Sequence, residues 1–150
     1  MRACRDGASV VLMLGRTTWR AVTFLLVAGL FGFTSTSRFD GTWQTILSCP
    51  DSHGALGYSF KFPSLVKNGV LHGEKGTPAE PGWLQIDGSI DEDGKASLYA
   101  DGLIGAADFA VGQRPAGTRY NYHIDALFTA ASAEGHRVEG RKCSVVWTRN

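Results

Sequence analysis

Alternation of apolar and polar residues is the main pattern in the second part of the chain. It is longest at residues 118–128, and it recurs at 83–90 and 95–101 on either side of an acidic turn ending in Gly94. A repeat of two residues predicts β-strands, and the turn predicts that the latter two segments form a hairpin. From residue 38 onwards, 15 Gly residues are spread between such segments, which favours many strands joined by tight turns.

A further hairpin is predicted upstream of these segments. Residues 58–66 and 70–74 flank Asn68-Gly69, a pair that is favoured in tight hairpin turns. Pro63 has no backbone N–H to donate, so we expect it to interrupt the first arm or to place that arm at a sheet edge.

The end of the chain is predicted to hold one turn and two short strands. The turn is placed at residues 132–135, and a strand at 136–139 follows it. A break in the alternation around Gly140 predicts a bulge before the final strand at 143–147. Nowhere after Phe33 do apolar residues recur at intervals of three and four, so we expect at most one short helix.

A different pattern occupies the start of the chain. Residues 21–33 form an uncharged, mostly apolar run, with Arg16 and Arg20 just before it and small Ser and Thr residues just after it. This order is typical of a signal peptide, and the run is short of the roughly 20 apolar residues that span a membrane. We therefore predict a helical signal peptide over residues 1–37, with Met13 as an alternative start. Export to the periplasm or the exterior follows, with membrane attachment only through an uncleaved signal.

The charge of the remaining segment argues against two classes of partner. The chain has 15 Lys and Arg against 14 Asp and Glu, and four of the basic residues but one acidic residue precede Arg38. Residues 38–150, which we predict to form a single domain, therefore carry a net charge of −2. A nucleic-acid partner or an anionic membrane surface would need a basic excess.

Cys49 and Cys143 are the two cysteines that follow the signal segment. An even pair in an exported chain predicts a disulfide. By the alternation, Cys49 shares a face with Trp43 and Cys143 shares one with Trp147, so the bridge would join the first strand to the last. We therefore predict an all-β fold, a small antiparallel barrel of seven or eight strands, with a two-sheet sandwich as the alternative.

Two short motifs carry a resemblance to known families. The segment Phe39-Asp40-Gly41-Thr42-Trp43, followed six residues later by Cys49, and the terminal Cys143-Ser144-Val145-Val146 resemble small exported bacterial β-rich proteins of uncharacterised function. The likeness covers most of residues 39–147 and implies no activity. Gly41-Thr42-Trp43 is also similar to the Gly-x-Trp of lipocalins, whose Trp closes one barrel end beneath an Arg from a late strand. That likeness implies a calycin-like meander in which Arg141 or Arg149 provides the cation.

The candidate binding residues are aromatic: Trp83, Tyr120, Tyr122 and Phe128. Small residues share the inward face with three of them, namely Gly88, Ala96, Ala100, Gly102 and Ala126. Small side chains opposite large rings leave a cavity for an apolar ligand or let the rings pack, and the sequence leaves both outcomes open. Trp83 is placed at a strand start, where an exposed ring would mark a binding rim.

Catalytic and metal-binding patterns are weak in this chain. The four His, at positions 53, 72, 123 and 136, have no close spacing, and no metal site or cofactor is predicted. The acidic residues Asp87, Asp91, Glu92, Asp93 and Asp101 resemble a solvated hairpin more than a calcium loop or a pair of catalytic carboxylates. No serine has the nucleophile-elbow pattern.

These observations favour an exported binding module without enzymatic activity. Its partner would be a small apolar ligand or an envelope or secreted protein, and a protease-inhibitor role through the Pro-rich loop at 77–81 is one version. The alternatives are a hydrolase of envelope polymers that uses the acidic residues, and a purely structural envelope protein.

Overall fold

Eight antiparallel strands form a closed barrel in the computed structural model, which describes residues 37–150. The strands are β1 (Gly41–Cys49), β2 (Tyr58–Lys67), β3 (Val70–Lys75), β4 (Leu84–Ile90), β5 (Lys95–Leu103), β6 (Arg119–Phe128), β7 (Ser132–Arg137) and β8 (Ser144–Arg149). Each strand pairs with the next, and β1 also pairs with β8. The predicted barrel is therefore confirmed, and the sandwich alternative is wrong. The predicted signal peptide, its helix and the start at Met13 lie outside the described residues, except for Ser37.

Side chains of the strands alternate between the barrel interior and the solvent because successive residues of a strand point to opposite faces. In β1 the interior positions are Trp43, Thr45, Leu47 and Cys49, all of which are buried. The one helix among residues 37–150 is a 3-10 turn at Ala107–Phe109, between β5 and β6. No helix in this part of the chain is long and apolar enough to cross a membrane.

The hairpin predicted around Asn68-Gly69 is present between β2 and β3. Both residues have positive φ, 53° and 74°, as a tight hairpin turn requires. Pro63 lies within β2 opposite Gln44 of β1, and β2 pairs with β3 only from Ser64 onwards. Pro63 thus sits at a local edge, on the side where β2 has no strand partner.

Two predictions near the C-terminus are wrong. Residues 132–135, predicted as a turn, belong to β7, and the strand placed at 136–139 ends at Arg137. The turn lies earlier, where the Thr129 hydroxyl donates to the carbonyl of Ser132 and so bends the backbone. Gly140 forms no bulge: it lies in the loop between β7 and β8 with a φ of 71°.

Gly135 therefore has a packing role instead of a turn role. A Cβ atom at this position would lie 2.8 Å from the Cβ of Ala126 and 3.1 Å from the ring of Trp147. The first distance is too short for a side chain and the second is tight, so the absence of a side chain lets Trp147 lie against β7 inside the barrel.

One end of the barrel, which we call the closed end, is filled by aromatic side chains. Phe128 contacts Trp43, Trp147 and Phe39, with ring centroids 5.4, 5.3 and 6.1 Å apart respectively. The indole N–H of Trp43 donates to the carbonyl oxygen of Phe39, 3.0 Å away. These contacts hold Phe39, just before β1, across this end of the barrel and fill its interior with rings.

Of Arg141 and Arg149, the two residues considered as the cation beside Trp43, Arg149 is the one that lies over its ring. Its guanidinium carbon lies 5.5 Å from the ring centroid of Trp43, and it donates to the carbonyl oxygens of Arg38, Asp40 and Ala130. A Cβ at Gly41 would lie 3.4 Å from this guanidinium, and Gly41 has a φ of 142°. The motif at residues 39–43 therefore serves to close the barrel.

Cys49 and Cys143 form a disulfide at the opposite end of the β1–β8 seam. Their Cα atoms are 4.2 Å apart across 94 residues of sequence. The last backbone pair of the seam, Ser48 with Ser144, lies directly beside them. The bridge therefore fixes barrel closure where the hydrogen-bonded ladder ends.

Candidate ligand-binding site

A cavity of about 610 Å³ opens at the barrel end opposite Trp43 and Trp147, which we call the mouth. Its walls combine the mouth ends of β2, β5, β6 and β7 with the loops that join the strands there. The lining residues are mostly apolar or aromatic, and they are His53, Tyr58, Phe60, Gly82, Leu103, Ile104, Gly105, Ala106, Phe109, Ala110, Val111, Arg114, Tyr120, Arg137, Gly140 and Arg141. This volume lies within the range of about 300–1,000 Å³ of small-molecule sites.

Arg141 holds the loops of the mouth together. It is buried, and its guanidinium donates to the carbonyl oxygens of Pro50, Leu56 and Phe109, which belong to two different loops. The backbone N–H of Leu56 also donates to the carbonyl of Asp108, at 2.8 Å. Because the guanidinium donates to these carbonyl oxygens, Arg141 supports the shape of the cavity and has most of its donors already in use.

The structure brings only two of the four predicted binding residues together. Tyr120 lines the cavity, and Tyr122 lies beneath it, stacked on Tyr120 with the ring centroids 6.1 Å apart. Phe128 belongs to the closed end. Trp83 lies outside the cavity walls, where its indole N–H donates to a carboxylate oxygen of Glu74, at 2.7 Å.

The small residues of the interior face serve ring packing. Gly102 is paired with Tyr120 and Ala100 with Tyr122, so these two small residues of β5 lie opposite rings of β6, whereas Ala96 is paired with Ala126. A Cβ at Gly102 would lie 2.8 Å from the Tyr120 ring. None of the five small residues named from the sequence lines the cavity. The space for a ligand comes instead from the loops above Tyr120.

Arg137 also lines the cavity, although it was not among the binding residues predicted from the sequence. It ends β7 with its side chain in the barrel, and its guanidinium carbon lies 4.1 Å from the ring centroid of Tyr122. Its Nε is buried and, among residues 37–150, has no hydrogen-bond partner. A strand assigned from residue 132 would have revealed it, since Ala133, Gly135 and Arg137 then share the interior face.

Burial also shifts the pKa values of the three tyrosines around Arg137. It raises the pKa of Tyr58, Tyr120 and Tyr122 above the ordinary value, and the positive charge of Arg137 opposes this rise in each case. The phenols are therefore neutral at physiological pH and able to donate a hydrogen bond. The hydroxyl of Tyr122 has no partner among the described residues.

The acidic residues considered for catalysis lie on the outer surface or in turns. Asp87 is bound to His72, Asp101 to Arg119, and Asp91 accepts N–H groups of its own turn. No carboxylate is among the lining residues of the cavity. Within residues 37–150, no three His, Cys, Asp or Glu side chains come together in a metal-binding group.

Comparison with known proteins adds no family to this description. No family model matches the chain, and neither the curated proteins nor the solved structures contain a match. The function is therefore inferred from the barrel and its cavity.

Proposed function

We propose that this chain is an exported, non-enzymatic barrel protein that binds a small apolar ligand in the mouth cavity. The observation that supports this most directly is the cavity itself, whose walls are mainly apolar. Burial of an apolar ligand there would contribute roughly 25 cal/mol of favourable binding free energy for each Å² of apolar surface removed from water. Export is supported by the apolar N-terminal run and by the Cys49–Cys143 disulfide, which is typical of oxidising compartments.

Probe binding tests the proposal. We expect N-phenyl-1-naphthylamine, an uncharged apolar fluorophore, to bind the purified protein with an increase in fluorescence and a stoichiometry of one. The variant Ala110→Phe, which adds a ring to the cavity wall, should weaken this binding at least tenfold. Its matched control is Ala131→Phe in the exposed turn at the closed end, which should bind like the wild type. Absence of binding, or equal loss in both variants, would contradict the proposal.

A protein partner bound through residues 77–81 is the second candidate. All five residues are exposed on a loop at the mouth end, and a hydrogen bond from the backbone N–H of Glu80 to the carbonyl of Thr77 holds the loop in a turn. A protease inhibitor would present such a segment to its target. Inhibition of at least one enzyme in a panel of secreted proteases is the expected result for this version, and uniformly negative assays would count against it.

A further inference from the structure

Arg137 provides an unpaired positive charge inside the cavity. Within residues 37–150, Arg137 takes part in no ion pair; the ion pairs there join His72 to Asp87, Arg119 to Asp101 and His123 to Glu139. The side chain of Arg137 is half-buried, and a shielded Nε without a hydrogen-bond partner is costly, a cost that the ring of Tyr122 offsets only in part through a cation–π contact. The donors of Arg137 are therefore available to an acceptor that enters the cavity.

The remaining lining groups reinforce this positive character. Arg141 is engaged with loop carbonyls, and Arg114 is exposed in the loop between β5 and β6. With no lining carboxylate to oppose these cations, the cavity favours an anion over a cation or an uncharged group. Tyr58 and Tyr120 line the same space and add neutral hydroxyl donors near Arg137.

Exposed apolar residues of the mouth loops indicate where an apolar part of a ligand would lie. Leu56, Phe109 and Val111 are exposed apolar residues of the mouth loops, with 52%, 43% and 45% of their surfaces accessible. The ring centroid of Phe109 lies 6.3 Å from that of Tyr58, so this apolar surface continues the cavity wall. A charged head at Arg137 and an apolar chain running past Phe109 would cover both surfaces.

From this arrangement, and resting on the proposed function, we infer that the ligand is a single-chain amphiphile with a carboxylate head, and that Arg137 binds the carboxylate. The guanidinium fork matches a carboxylate through two parallel hydrogen bonds. Tyr120 is placed to donate a further bond from its hydroxyl. The apolar chain contacts Ile104 and Phe109 on its way out of the mouth.

A series of ligands with the same chain tests this inference. Dodecanoate, dodecanol and dodecylamine would each be used to displace N-phenyl-1-naphthylamine from the purified protein. Hydrogen bonds to a charged group predict that dodecanoate binds roughly tenfold to a hundredfold more tightly than dodecanol. Dodecylamine, which is cationic at neutral pH, should bind more weakly than dodecanol.

Substitution of Arg137 tests whether the carboxylate binds at this residue. Arg137→Met keeps an apolar side chain of similar length, and it should remove the preference for dodecanoate while leaving the affinity for dodecanol within about threefold. Lys142→Met, which removes an exposed cation outside the cavity wall, is the matched control and should retain the preference. Should Arg137→Met fail to fold by circular dichroism, Arg137→Lys serves in its place, and it should lower the preference several-fold because Lys lacks the fork.

The outcomes separate the two proposals. If dodecanoate and dodecanol bind equally, or if Arg137→Met keeps the preference, the inference about Arg137 is overturned and the apolar site stands. The same holds if Lys142→Met loses the preference as fully as Arg137→Met does. If neither the fluorophore nor any member of the series binds, the proposed function itself fails.

Discussion

Removal of the Cys49–Cys143 bridge is the perturbation whose magnitude the structure defines best. The bridge closes a loop of 94 residues. On the chain-entropy model, a loop of about that length restricts the unfolded chain by roughly 4.7 kcal/mol at 25 °C, and losses of about 2 to 5 kcal/mol are usual for native disulfides. We expect Cys49→Ala with Cys143→Ala to lower the free energy of unfolding by about 2 to 5 kcal/mol. The barrel should persist because the β1–β8 ladder is independent of the bridge.

Urea unfolding followed by tryptophan fluorescence would measure this loss, with the oxidised wild type as reference. Ser48→Ala with Ser144→Ala is the matched control, since these residues pair next to the bridge on the same two strands. The control should change stability by about 1 kcal/mol or less. A loss below about 1 kcal/mol in the cysteine variant, or free thiols in peptide mapping of the wild type, would refute the reasoning.

Three further predictions concern packing and charge at the closed end and along β7. Arg149→Lys should lower the free energy of unfolding by about 2 kcal/mol, because the single ammonium nitrogen of Lys cannot replace the two guanidinium nitrogens that bind the carbonyls of Arg38, Asp40 and Ala130. Thermal unfolding would show this loss, and an unchanged Tm would contradict it. Gly135→Ala should cost about 1 to 3 kcal/mol by overpacking against Trp147, and urea unfolding with no loss would show that the strand can shift. The backbone N–H groups of the β2–β3 turn hold the pKa of Asp40 below its ordinary value of 3.8, so its carboxylate stabilises the fold above that pH. The advantage of the wild type over Asp40→Asn should be full at neutral pH and vanish as the pH falls through the lowered pKa, and an equal advantage at pH 2 and pH 7 would contradict this.

Most of the barrel follows from local pattern. Alternation in residues 118–128 predicts β6 because a strand exposes alternate side chains to one face, and Asn68-Gly69 predicts a hairpin because its residues tolerate positive φ. The shared parity of Cys49 and Cys143 with two Trp residues predicts closure, since a disulfide requires neighbouring strands. These properties depend on a few adjacent residues or on one covalent constraint.

Which residues line the site depends on their positions along and across the barrel. The alternation of apolar and polar residues predicts the face of a strand but not these positions. Tyr120 and Phe128 share a face, yet at about 3.3 Å per residue they lie roughly 26 Å apart along β6, one at the mouth and one at the closed end. Only the tertiary structure decided which of them meets the cavity.

The arrangement of the mouth loops also depends on tertiary contacts. Residues 104–118 have no period, and their position is set by contacts such as that of Arg141 with Pro50, 91 residues away in sequence. Arg137 enters the barrel because β7 begins at Ser132, a boundary set by pairing with β6 and β8 and obscured in the sequence by Gly135. The sequence thus determined the strands and their closure, whereas long-range packing decided where the barrel stays open and which charge lies inside.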